Sequence, residues 1–325
     1  MRSLQFHQFG EPDEVLGLAE NPLPEPAPGT LRVRMSLRPI NPSDLFQIRG
    51  RYGRLPELPA TAGLEGLGTV DAVGSEVPDH WLGQKVVFRE AQGTWGEWMV
   101  TEPSNCLGVP AGVPDEAAAQ AMVNPLTALA IVEELAPGPS DWILLTAPTS
   151  AVAHCVLDLA RIRTFPVLAL TRSPDRIQDL RGLGAAEALC TENPAWTSAA
   201  KSLLGPQGAA GCLDAVGGTL ASDIAKLLRP GGTHLVYGAL SLQPLLIPGG
   251  QIIYRQLTVR GFTIVMWKRA VDPARFATIL DALWVHQREG LLCPPVAAVH
   301  PLAHHRMAIR QAETHGRKGK ILLSG

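Results

Sequence analysis

Two short runs in this chain hold the residues best placed to do chemistry. In the first, Trp142 to Thr146 has the character of an apolar strand. It leads through Ala147-Pro148-Thr149-Ser150-Ala151-Val152-Ala153 into a helical pattern carried by Val156, Leu157 and Ala160. A strand that turns directly into a helix presents free backbone N–H groups and the positive end of the helix dipole, the arrangement that binds a pyrophosphate. Such turns usually carry glycines, because a Cβ hinders approach of the backbone to phosphate. Ala151 and Ala153 stand in those places here. Alanine is the smallest step up, and Thr149 or Ser150 can add hydroxyl bonds. The turn, Val152 included, therefore implies a dinucleotide held in a slightly displaced position. The second run, Leu170-Thr171-Arg172-Ser173, ends the next strand at about the separation where an NAD enzyme places an Asp or Glu on the ribose 2'-hydroxyl. No carboxylate is present. A guanidinium at Arg172, assisted by Ser173 and Arg176, can hold a 2'-phosphate through charge-assisted bidentate bonds. NADPH is the cofactor this predicts; a solvated helix-capping arginine is the plainer alternative.

The elements that position these runs follow from a change of rhythm along the chain. From Met1 to about Gly112, short β-like runs alternate with turn residues: Leu31 to Met35, Gly68 to Val73, Lys85 to Phe88 and Gly96 to Val100. This predicts an all-β partial barrel. Beyond the region Asp115 to Leu135, apolar runs at 143–146, 167–170, 212–216 and 234–237 are separated by helical or polar stretches, as in a doubly wound parallel sheet. The expected fold class is α/β, with residues 1–120 and 290–325 in one domain and 121–289 in the cofactor domain. The tail from about Leu291 lacks another full strand–helix cycle, and Gly319 to Leu323 could pair back onto the first domain.

Bulk properties narrow the partners. The 325 residues carry a net charge of −2 with no basic block, which argues against nucleic acid and anionic lipid as partners. No window of about 18 apolar residues suggests a membrane span, and the start has no signal-peptide pattern; a soluble, cytoplasmic protein is expected. Five scattered cysteines, none in a C-x-x-C pair, argue against a disulfide framework or a structural zinc lobe. His300, His304 and His305 form a histidine cluster whose i, i+4 spacing could share a helical face. Pro301 and the lack of a carboxylate or Cys weigh against a metal there. No G-x-S-x-G elbow is present.

The segment from Leu37 to Val70 resembles the catalytic domain of the medium-chain dehydrogenase/reductase superfamily with its metal ligands removed. Where zinc members carry Cys and His, this chain has Asn41 and Leu64, and neither an amide nor an isobutyl group replaces thiolate and imidazole. Asn41-Pro42-Ser43-Asp44, Tyr52-Gly53-x-Leu55-Pro56, Gly93-Thr94-Trp95, Val123-Asn124-Pro125-x-Thr127-Ala128, Val216-Gly217-Gly218, Tyr237-Gly238 and Trp267-Lys268 are similar to the zinc-free 2-enoyl thioester reductases, close relatives of quinone oxidoreductases. The resemblance covers almost the whole chain and implies a GroES-like domain beside a Rossmann domain. It implies that Tyr52 is the catalytic group near the thioester carbonyl and that Trp267 lines the acyl pocket. It also places Thr127, Tyr237 and Gly238 near the nicotinamide ribose and ring, and Lys320 near the cofactor. Asn41 is a polar neighbour or simply a turn-forming Asn-Pro. Hydride delivery to the β-carbon of an α,β-unsaturated carbonyl builds enolate charge on oxygen, and Tyr52 could donate a hydrogen bond to it or supply the proton. The expected substrate is a small molecule or an acyl thioester, and the expected assembly a homodimer. The alternatives are an NADPH:quinone oxidoreductase and a silent NADP(H)-binding sensor, the latter motivated by Ala151 and Ala153.

Overall fold

In the computed structural model, which describes residues 1–314 and 316–325, the chain divides into two units, Met1–Asn124 with Asp281–Gly325 and Pro125–Leu280. The sequence places the boundaries near 120 and 290. The second one falls earlier because the end of the helix Pro273–Arg288 is tied into the first unit, where Gln287 donates to the Ala117 carbonyl at 3.2 Å.

The first unit opens with eight strands: β1 (Arg2–Phe6), β2 (Gly17–Glu20), β3 (Leu31–Pro39), β4 (Ala60–Thr61), β5 (Leu67–Val73), β6 (Lys85–Phe88), β7 (Trp98–Thr101) and β8 (Cys106–Gly108). Period-two alternation shapes β3: Leu31, Val33 and Met35 are buried while Arg34 and Ser36 are exposed. The buried face joins Val70, Val86, Phe88 and Cys106 in one core cluster.

The second unit is built from β9 (Ile143–Thr146), β10 (Val167–Thr171), β11 (Glu187–Cys190), β12 (Ala209–Asp214), β13 (Leu228–Val236) and β14 (Thr258–Gly261). They pair in the order β11-β10-β9-β12-β13-β14, every pair parallel. β9 and β10 are buried at every residue, the continuous apolar run expected of strands covered on both faces. Strand order reverses between β9 and β12, the switch point at which open α/β sheets bind ligands beyond the strands' carboxyl ends.

The tail departs from expectation in one respect. It contains a full cycle: β15 (Val296–Pro301), the helix His305–Glu313 and β16 (Lys320–Ser324). β15 escapes a reading by hydrophobic run because only alternate residues are partly buried and prolines flank it. β16 lies parallel to β15 and antiparallel to β3, with Leu322 opposite Pro39, so the Gly319–Leu323 run does pair back onto the first unit. His300 lies in β15 and His304 precedes the helix that begins at His305, so the i, i+4 spacing does not put them on one helical face; Pro301 closes the strand between them.

Candidate active site

In the first unit the site grows from the end of β3. Asn41 is the N-cap of the helix Pro42–Ile48, with Pro42 in the first turn and Asp44 closing a capping box: the Asn41 N–H donates to Asp44 Oδ2 at 2.7 Å. The Asn41 amide is also engaged. Its Nδ2 donates to Glu65 Oε1 at 2.7 Å, and its Oδ1 accepts from Asn124 Nδ2 at 2.9 Å and from the Lys320 ammonium. Asn41 is thus both the turn former and a polar cross-link. Lys320, buried to 4 % exposure, also donates to the Ile40 carbonyl at 2.7 Å. Burial pushes the Asp44 carboxyl up to about 7, against the N–H groups of Asn41 and Leu64 and the Lys320 charge. Burial likewise draws the Lys320 ammonium down to about 8.

Tyr52 follows this helix through Gly50, whose φ of +70° favours glycine. The loop is anchored from below: Arg51 N–H donates to the Phe46 carbonyl at 2.8 Å, and Gln47 Nε2 to the Arg54 carbonyl at 3.4 Å and to Gln92 Oε1 at 3.0 Å. The Tyr52 phenol is half-buried, and burial, then the Asp44 charge, raises its pKa above the ordinary value. It is therefore a neutral hydrogen-bond donor throughout the physiological range. Zinc does not suit these residues. Asn41 is committed to protein partners, Leu64 is apolar, and among the described residues no group of three or more His, Cys, Asp or Glu could hold a metal ion.

In the second unit the helix Ala151–Arg163 starts at the carboxyl end of β9. Ser150 is its N-cap, and its Oγ accepts from the Ala153 N–H at 3.2 Å. Thr149 is exposed, Ala151 partly so; Val152 and Ala153 are buried, the latter completely. The turn begins at Ala147 with φ +45°, a left-handed conformation in a non-glycine residue. Arg172 and Ser173 stand exposed beyond β10, and the Arg172 guanidinium pairs with no carboxylate among the described residues. Arg176, by contrast, lies within 3.3 Å of Asp179. These features suit a dinucleotide carrying a 2'-phosphate.

Under the switch point lies a network of buried polar groups. Thr146, ending β9, donates to Asp214 Oδ1 at 2.8 Å, and Asp214 ends β12. The same oxygen accepts the N–H groups of Val216 at 2.8 Å and Gly217 at 3.1 Å, and Oδ2 meets His234 Nε2 at 2.8 Å. Burial works to raise the Asp214 pKa, but these bonds together hold it below the ordinary carboxylate value. Asp214 thereby fixes the Gly217-Gly218 turn, where both φ values are positive. A carboxylate interrupting an apolar strand, Cys212-Leu213-Asp214-Ala215, was the available signal. At Gly238 a Cβ would come within 2.9 Å of the Ala215 carbonyl, so the neighbouring turn also depends on glycine. Burial holds the Tyr237 phenol strongly protonated. Thr127 is buried in the helix Asn124–Leu135. Trp267 lies in the helix Ile264–Ala270, buried to 9 %, its ring 6.3 Å from that of Phe276.

Asn41 and Lys320 thus meet inside the first unit, while Tyr52 belongs to the first unit and Ser150, Tyr237 and Trp267 to the second.

Known proteins match along the whole chain. The alcohol dehydrogenase GroES-like domain profile covers residues 27–131 and the zinc-binding dehydrogenase profile residues 151–283. The mitochondrial enoyl-[acyl-carrier-protein] reductase of Bos taurus is 33 % identical over 95 % of this chain and 84 % of its own. This chain belongs to the enoyl reductase family of the medium-chain dehydrogenase/reductases. Among solved structures, a Bacillus thuringiensis protein provisionally described as an NADPH:quinone reductase is 30 % identical, with a TM-score of 0.93 over 100 % of this chain and 98 % of that one. A mitochondrial 2-enoyl thioester reductase heterodimer from Candida tropicalis, at 24 % identity, shares the fold with a TM-score of 0.87 over 100 % and 99 % of the two chains. Membership in this family accounts for the GroES-like and Rossmann units, and the zinc in one profile's name has no ligands at Asn41 and Leu64.

Proposed function

We propose that this enoyl reductase family member is an NADPH-dependent reductase of activated C=C bonds, acting on 2-enoyl thioesters without zinc. The observation that carries the reading is the Tyr52 phenol, half-buried and held neutral, in a chain similar to enoyl-[acyl-carrier-protein] reductases over 95 % of its length. NADPH, when bound, supplies the hydride to the β-carbon. As the C=C electron pair moves toward the carbonyl, the Tyr52 hydroxyl donates a hydrogen bond to the thioester oxygen, and a proton then adds at the α-carbon. Ser150 and the start of the helix Ala151–Arg163 would hold the pyrophosphate, Arg172 and Ser173 the 2'-phosphate. Asp214 would keep the Gly217-Gly218 turn in register. Trp267 is assigned to the acyl pocket and Thr127, Tyr237 and Gly238 to the nicotinamide end.

NADPH oxidation assayed across crotonyl-CoA, longer enoyl thioesters, enones and quinones tests the proposal. Thioesters are expected to be preferred; turnover of quinones alone would favour the second reading, an NADPH:quinone reductase, which the Bacillus thuringiensis likeness supports. No turnover of any acceptor would favour a nucleotide sensor.

The proposal extends to a homodimer in the cytoplasm. β14 is an edge strand exposed at every residue, near the exposed Ile253 and Tyr254 in sequence, which suits pairing with a second copy. Light scattering reads the mass, and Val259→Pro is expected to lower it to that of a monomer. The five cysteines, none of them in a disulfide, suit a reducing compartment, which cell fractionation would check.

A further inference from the structure

In the second unit a single carboxylate ties together the two turns that flank the switch point. Asp214 has no exposed surface. Its Oδ1 accepts the Thr146 hydroxyl, whose oxygen in turn accepts the Ala215 N–H at 2.8 Å, so the ends of β9 and β12 lock onto each other. Thr146 directly precedes Ala147, the left-handed residue that opens the first turn and whose carbonyl accepts the Ser150 N–H at 2.9 Å. The same Oδ1 accepts the Val216 and Gly217 N–H groups, which open the second turn. With three donors on one oxygen, the orientation of the carboxylate is left to the other. Among the described residues Oδ2 meets one partner, His234 Nε2 at 2.8 Å, which reaches it from β13. His234 is wholly buried, and its Nδ1 has no hydrogen-bond partner among the described residues. An unpaired buried polar atom costs stability that an apolar side chain in the same place would not lose. The contribution of the ring therefore lies at Nε2. An ionised carboxylate only accepts, so Nε2 carries the proton of this contact.

We propose, resting on NADPH as the cofactor, that His234 is a positioning residue for it: the Nε2–H orients the Asp214 carboxylate, which through Thr146 and the Val216 and Gly217 N–H groups holds the turns at 147–150 and 216–218 against the dinucleotide. The 2'-phosphate end is served separately. Arg172 and Ser173 follow β10, whereas the Asp214 side chain bonds to the end of β9, to the turn after β12 and to β13. Loosening the carboxylate should then weaken a ligand that spans both turns and spare one that ends at the 2'-phosphate. Glutamine is the conservative replacement, since its side-chain amide offers an N–H at about the reach of Nε2; leucine fills the space with no donor.

NADPH and adenosine 2'-phosphate, titrated separately into wild type, His234→Leu and His234→Gln without substrate, provide the test. His234→Leu should weaken NADPH roughly five- to tenfold and adenosine 2'-phosphate less than about twofold. His234→Gln should stay within about threefold of wild type for both. A role in packing alone would change the melting temperature of His234→Leu without separating the two ligands. A folded His234→Leu variant that binds NADPH as wild type does would overturn the inference. Equal weakening of both ligands, or a His234→Gln variant as weak as His234→Leu, would overturn it too. Nitrogen NMR of the histidine rings in wild type should find the His234 proton on Nε2; a ring protonated only at Nδ1 would overturn the inference, and this measurement stands if His234→Leu fails to fold. A wild-type protein that does not bind NADPH would overturn the cofactor reading itself, and the inference with it, an outcome distinct from NADPH binding that ignores His234.

Discussion

The two alanines of the cofactor turn should behave differently when changed to glycine, because the structure exposes one and buries the other. Ala151 is partly exposed at the first position of the helix Ala151–Arg163, while Ala153 has no exposed surface. The Ala151 methyl group is the one that can stand between backbone and pyrophosphate. Ala151→Gly should therefore tighten NADPH several-fold, at a helix-propensity cost of about 0.5 kcal/mol so near the helix start. Ala153→Gly loses about 1 kcal/mol of propensity and about 0.8 kcal/mol for one buried methyl group, without opening the phosphate side. For a unit of this size that is roughly 3 to 8 °C of melting temperature, against about 1 to 2 °C for Ala151→Gly. Differential scanning fluorimetry of the apo variants and titration of NADPH fluorescence measure the two quantities. The reasoning fails if Ala153→Gly tightens NADPH more than Ala151→Gly does, or if Ala151→Gly leaves the dissociation constant unchanged in a folded protein.

Tyr52→Phe should lower kcat with an enoyl thioester by roughly two to three decades, about 2.7 to 4 kcal/mol, while NADPH binding holds, because the lost hydrogen bond matters most when charge gathers on oxygen. Near-wild-type rates would return Tyr52 to a packing role. Arg172→Ala should weaken NADPH by roughly one to two decades and NADH little, about 1.5 to 3 kcal/mol for one charge-assisted contact; equal weakening of both cofactors would mean that Arg172 serves the fold. Asp214→Asn should cost about 3 kcal/mol or more at neutral pH, since it breaks a buried, multiply bonded carboxylate. Because the folded pKa of Asp214 lies below its unfolded value of 3.8, this contribution is present above that value and is lost as pH falls through the folded pKa. The stability gap between wild type and Asp214→Asn should accordingly shrink as pH drops below about 4 in denaturant titrations, and a constant gap would refute the assignment. Elemental analysis should find no stoichiometric zinc, with activity retained in chelator.

Much of this protein is legible in its sequence alone. Apolar runs at 143–146 and 167–170 mark the central parallel strands because residues covered on both faces must be apolar whatever their neighbours. The strand-to-helix turn at Thr149 and Ser150 is a local fact, set within a few residues; that Ser150 caps the helix was read only from the structure. β15 and β14 were not legible, because an edge or half-covered strand need not be apolar and its partner lies far away in sequence. The polar networks were hidden for the same reason. Lys320 meets Asn41 across 279 residues, and Thr146 meets Asp214 across 68. A lone Lys, Asp or Glu in a sequence is most often a solvated charge. Only tertiary folding removes the water around it, and in doing so decides that Asp44, Glu65, Lys320 and Asp214 must find each other or one another's backbone rather than solvent.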